Sequence, residues 1–81
     1  MDSIREYDIV VLTKDIQAIH KQNHTPILLR RGQVGTVLMD FNQQDFLIDF
    51  ADEEGVTYAM ETVSKEQLIP LLYQPCEVLA F

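Results

Sequence analysis

Residues 30–41 read RRGQVGTVLMDF: two glycines, Gly32 and Gly35, stand just ahead of a β-branched and apolar run. A phosphate cradle and a turn into a strand both use glycine. A cradle, however, needs a following lysine with serine or threonine and a helix whose N-terminus faces the anion. Neither follows here, and the chain carries thirteen Asp and Glu against six Lys and Arg. The stretch therefore reads as scaffold. Gly32 is the residue able to take positive φ where the chain leaves a surface loop. Gly35 marks a point where a neighbour comes too close for a Cβ. A strand over Thr36–Phe41 is the consequence.

Working toward the C-terminus, NQQD (42–45) is a four-residue turn, and DFLIDFAD (45–52) alternates Phe46, Ile48 and Phe50 against Leu47, Asp49 and Ala51. That period of two predicts a half-buried strand. DEEG (52–55) is a turn with Gly55 at its positive-φ position, and VTYAMETV (56–63) returns antiparallel. SKEQL (64–68) predicts a one-turn helix capped by Ser64, with Gln67 closing a capping box. IPLLY (69–73) is a short last strand whose Pro70 requires an edge position or a missing N–H turned away from the ladder.

Toward the N-terminus, YDIVVLT (7–13) predicts the first strand, apolar on both faces. Between the two lies KDIQAIHKQNHTPILL (14–29), in which Ile16 and Ile19 allow a short helix up to about His20, while Asn23, Thr25 and Pro26 break its continuation. It reads as a long loop holding that helix. The expected fold is all-β: a small five-stranded barrel, strongly bent, with a one-turn helix before the last strand. One domain fills the 81 residues, its core running from about 7 to 72 and residues 73–81 forming a C-terminal extension. The apolar end of that extension, Val78, Leu79 and Phe81, has the composition to dock or to pair with a second copy, so monomer and homodimer both stay open.

The segments YDIVVLTKDI, RRGQVGTV, FLIDFADEEGVTYAMETV and EQLIPL, together spanning about Tyr7 to Leu72, resemble the small bacterial family known as domain of unknown function 4926. The glycine stretch by itself resembles the motif of KOW and related SH3-like barrels. The resemblance implies an SH3-like barrel; it carries no established biochemistry. It also suggests a compact companion of another small protein, in an immunity or antitoxin-like role.

Composition narrows function further. The chain is 47% hydrophobic and 23% charged, as in a folded globular protein, and its formal net charge is −7. Nucleic acid should be repelled, since affinity for a polyanion rests on clustered basic residues. The same field attracts a basic protein and speeds its encounter. No apolar run approaches the roughly 20 residues of a membrane span, the N-terminus lacks signal-peptide character, and Cys76 has no partner for a disulfide. A cytoplasmic location is expected.

Among candidate sites, Asp45, Asp49, Asp52, Glu53, Glu54 and Glu61 gather along one predicted hairpin and form the expected partner-binding surface, the partner being a basic protein. His20 and His24 are spaced for one helical face, with Asp15 nearby, yet their segment is a poor helix and they read as solvated loop residues without metal. Nothing in the sequence places a histidine beside Cys76, so no nucleophilic site is expected. A proline-peptide groove would need Tyr7, Tyr58 and Tyr73 brought together by the fold. The leading expectation is a non-enzymatic protein-binding module without cofactor. Its alternative is a KOW-like module on RNA or the ribosome, contacting through Lys14, Lys21, Arg30 and Arg31.

Overall fold

The computed structural model describes residues 3–72. Tyr73, Cys76 and the apolar end of the extension lie outside the described residues. Seven strands form: β1 (Ile9–Leu12), β2 (Ile16–Ile19), β3 (Pro26–Leu29), β4 (Val34–Phe41), β5 (Asp45–Ala51), β6 (Thr57–Ser64) and β7 (Leu68–Pro70), with a 3-10 turn at Lys65–Gln67. Five of them make one antiparallel sheet in the order β6-β5-β4-β1-β7, and β2 and β3 pair separately. No helix among the described residues is long and apolar enough to cross a membrane.

The class is all-β, but three expectations need correction. The five-stranded barrel is instead an open five-stranded sheet plus a hairpin; among the described residues β6 and β7 are its two edges. The loop with a helix over 14–29 is that hairpin. Ile16 and Ile19 fit a helical spacing, yet the inward set is Ile16 with Ala18 and, across the ladder, Ile27 with Leu29. That is period two, and it faces the core. Tyr7 lies outside β1: it adopts φ 70° and is 74% exposed, while its N–H donates to the Val37 carbonyl.

The turns at the two ends of β5, from β4 and into β6, owe their form to local chemistry. Asn42 and Gln43 both take positive φ (58° and 57°), the geometry of a two-residue turn matched to strand twist. Asp40 stabilises it by accepting from the Gln43 backbone at 2.7 Å. At the other end Asp52 Oδ1 accepts from the N–H groups of Glu54 and Val56, and Gly55 takes φ 82°. After β6, the Ser64 N–H and hydroxyl both donate to Gln67 Oε1, and the Leu68 N–H closes onto the Lys65 carbonyl.

The core is continuous and apolar. Val10, Leu12, Val37, Phe46, Ile48, Phe50, Ala59 and Val63 come from the sheet, Ala18 and Leu29 from the hairpin, and no polar or charged residue is buried among the described residues. Ile4 also belongs to it, held by the Gln43 Nε2 donor on its carbonyl, so the core begins before residue 7. Gly32 has φ 96° and open space around it, whereas a Cβ on Gly35 would stand 2.5 Å from Ile48 Cγ2 and 3.1 Å from the Asp49 carbonyl oxygen. One glycine supplies backbone conformation; the other lets β5 side chains cross β4.

Candidate functional site

The six acidic residues do not assemble into one patch. Asp45 begins β5 and Asp52 follows its end, about 23 Å apart at ~3.3 Å per residue. Asp49 faces outward and accepts the Thr57 hydroxyl at 2.7 Å. Asp52 is engaged by its own turn, which leaves Glu53 and Glu54 as the exposed carboxylates of that tip. Glu61 sits on the opposite face from Asp49, in line with buried Ala59 and Val63. Its Oε2 accepts the Ile19 N–H at 3.0 Å, tying the β2–β3 hairpin to β6.

A second tie comes from the hairpin turn, and a further bond to β6 comes from the link between β3 and β4. The Lys21 N–H donates to the Tyr58 carbonyl at 2.8 Å, and Gln33 Nε2 donates to the Tyr58 hydroxyl at 2.7 Å. The register between β5 and β6 shifts at Phe50/Ala51, so Tyr58 is the unpaired residue of a bulge and turns toward the hairpin. There its ring stacks on His20 at 6.3 Å between centroids. Between hairpin and β6 lies an open groove of about 260 Å³ lined by Gln17, Ala18, Ile19, Pro26 and Glu61.

His20 and His24 occupy the hairpin tip rather than a helix. His20 Nδ1 accepts the Gln22 N–H, and His24 takes φ 60°. Asn23 Oδ1 accepts both the Thr25 N–H and its hydroxyl. No group of three or more His, Cys, Asp and Glu able to hold a metal is found among the described residues. Tyr7 stands beside Val37, and Tyr58 beside Gln33 and His20, so these two rings line no common groove.

At the base of the hairpin, Thr13, Lys14, Asp15, Arg30 and Arg31 line a second open groove of about 500 Å³. Asp15 lies among these cations: its Oδ1 accepts the Arg31 N–H at 2.7 Å and is 3.8 Å from Arg30 Nε. Lys21, expected to join them, is at the far end of the hairpin.

The outer face of the sheet was not singled out by the sequence. It carries Ile69, Val11 and Val34 as one cross-strand row and Met39, Leu47 and Thr62 as another. Between them run Ile9, Thr36, Asp49 and Met60. Ile69, Val34 and Met39 are each about half exposed. The signal was present: both faces of IVVL are apolar, but only one could fill the core.

No curated protein and no solved structure matches this chain. A family model matches over residues 6–70, which takes in every strand of the sheet and the whole of the hairpin. The chain belongs to the family described as domain of unknown function DUF4926.

Proposed function

We propose that this chain is a non-enzymatic module that binds a basic protein through the outer face of its sheet. The observation that carries this reading is a pair of apolar rows, Ile69-Val11-Val34 and Met39-Leu47, half exposed at Ile69, Val34 and Met39, with Asp49 in the row between them and Glu53 and Glu54 on the β5–β6 turn of a chain of net charge −7. Exposed apolar rows set beside charged residues have the composition of a protein interface. Surplus negative charge selects a basic partner and speeds encounter. Immunity or antitoxin-like neutralisation is one concrete form. The insertion of a hairpin between the first two strands of the sheet, with a 3-10 turn before the last, supports reading the fold as an open SH3-like variant.

The test places a photo-crosslinking residue at Met60, and a control at Gln22 on the hairpin tip, in the native cell. The expected product is a basic protein captured from Met60 and not from Gln22, with capture reduced by Glu53→Lys and Glu54→Lys together. Those two side chains make no hydrogen bond among the described residues, so the reversal leaves the turn intact. Capture of a second copy alone, or of nothing, overturns the reading.

The RNA reading has its own observation, the convergence of Lys14, Arg30 and Arg31 on one groove. Asp15 in their midst lowers the field that a phosphate would meet. Titration with labelled RNA at low salt decides it, since phosphate contacts are strongest there.

A further inference from the structure

The two edges of the sheet are not equivalent. On β7, the Ile69 backbone faces β1, as fixed by flanking bonds from the Leu71 N–H to the Ile9 carbonyl and from the Thr13 N–H to the Gln67 carbonyl. Leu68 and Pro70 therefore face the open side. Pro70 has no N–H, and the Leu68 N–H is spent on the Lys65 carbonyl. This edge offers no backbone donor to an incoming strand, a common protection against sheet extension.

On β6 the alternation runs the other way. The Lys65 N–H donates to the Gln44 carbonyl, so Val63, Glu61 and Ala59 face β5, while Ser64, Thr62, Met60 and Tyr58 face outward. Ser64 is capped by Gln67, and the Tyr58 carbonyl is taken by Lys21. The outward N–H and C=O groups of Met60 and Thr62 have no hydrogen-bond partner among the described residues, and both residues are exposed. Beside them, on the inner side, opens the groove of Gln17, Ala18, Ile19, Pro26 and Glu61.

We propose that β6 is a strand-addition edge: an extended segment of the basic partner pairs with Met60 and Thr62 and sets a lysine or arginine against Glu61. This rests on the binding reading and names how the partner is held. Met60 and Thr62 would form the hydrogen-bonded pairs, which makes the position opposite Glu61 a non-hydrogen-bonded pair, where side chains approach most closely. Glu61 Oε2 is committed to Ile19, while Oε1 accepts nothing among the described residues and is left for the added side chain. Main-chain bonds give such a complex its affinity, and alternate side-chain pockets its selectivity. A second copy is disfavoured there, because a symmetric pairing would set Glu61 against Glu61 of the partner copy.

The probe is a short, end-capped peptide in which valine and lysine alternate, titrated into isotope-labelled protein and followed by amide shifts and hydrogen exchange. Met60 and Thr62 amides should shift together, and their exchange should slow at least about tenfold on binding. Replacing the peptide lysines by glutamate, or Glu61→Gln in the protein, should weaken binding about tenfold, since either removes one desolvated charge pair. The glutamine keeps an acceptor for the Ile19 N–H, so the hairpin tie survives the change. Shifts confined to Val34, Met39 and Ile69, affinity indifferent to the peptide's charge, or concentration-dependent protection without peptide each overturn strand addition. A partner crosslinked through Met60 that leaves the Met60 and Thr62 amides exchanging freely overturns strand addition alone. Failure to crosslink any partner overturns the binding reading, whatever the peptide does.

Discussion

The five-stranded sheet and the β2–β3 hairpin are built from the same antiparallel ladders, yet they are secured differently. Phe46, Ile48 and Phe50 on β5 are wholly buried and pack beneath Val37 and Ala59 of the flanking strands, so the sheet is held by apolar contact along its length. The hairpin sends only Ala18 and Leu29 into the fully buried core, with Ile16 and Ile27 packed partly against it. Its attachment to β6 rests on the bonds from Ile19 to Glu61 and from Lys21 to Tyr58, beside a bond from Gln33, in the link after β3, to the Tyr58 hydroxyl. Burial of apolar area is non-directional and cooperative, whereas single exposed hydrogen bonds contribute about 0.5–1.5 kcal/mol each. The hairpin should therefore open locally while the sheet opens only with global unfolding.

Substitutions at four positions break or sharpen this contrast. Phe50→Ala should cost about 3–5 kcal/mol, a large part of the stability of so small a domain, read as a lowered midpoint in urea. Gly35→Ala comes next, at about 1–3 kcal/mol from overpacking, because the new methyl meets Ile48 and the Asp49 carbonyl and the backbone oxygen cannot retreat. Gly32→Ala should cost about 1–2 kcal/mol for its left-handed conformation alone. Asparagine should be milder than alanine at position 32 and worse at 35, which separates a conformational requirement from a steric one in the same assay. Tyr58→Phe should cost about 1 kcal/mol or less in global stability. Its main effect should be local: faster amide exchange at Ile19 and Lys21 with β5 unchanged. Equal acceleration in β5 would show hairpin and sheet to be one cooperative unit.

The same contrast explains what was legible. The alternation of Phe46, Ile48 and Phe50, the turn at Asp52–Gly55 and the Ser64–Gln67 cap are each set by residues a few positions apart. Ile16 and Ile19 misled because their spacing fits a helix as well as a strand, and the deciding partners, Leu29 and Pro26, lie far along the chain. Glu61 could have been separated from the other acids: Ala59, Glu61 and Val63 share one face of a strand. The groove it lines could not, because the bulge that turns Tyr58 toward His20 depends on the register of β5 against β6.

Local chemistry in the chain settled the strands β4, β5 and β6 with the turns between them, and why Gly32 and Gly35 serve different ends. Tertiary structure alone decided that the sheet stays open, that the hairpin lies against β6, and that one edge is sealed by Pro70 while the other keeps its donors. The reason is physical: a side chain's direction follows from its neighbours in sequence, but which backbone groups remain unpaired follows from strands brought together over long separations.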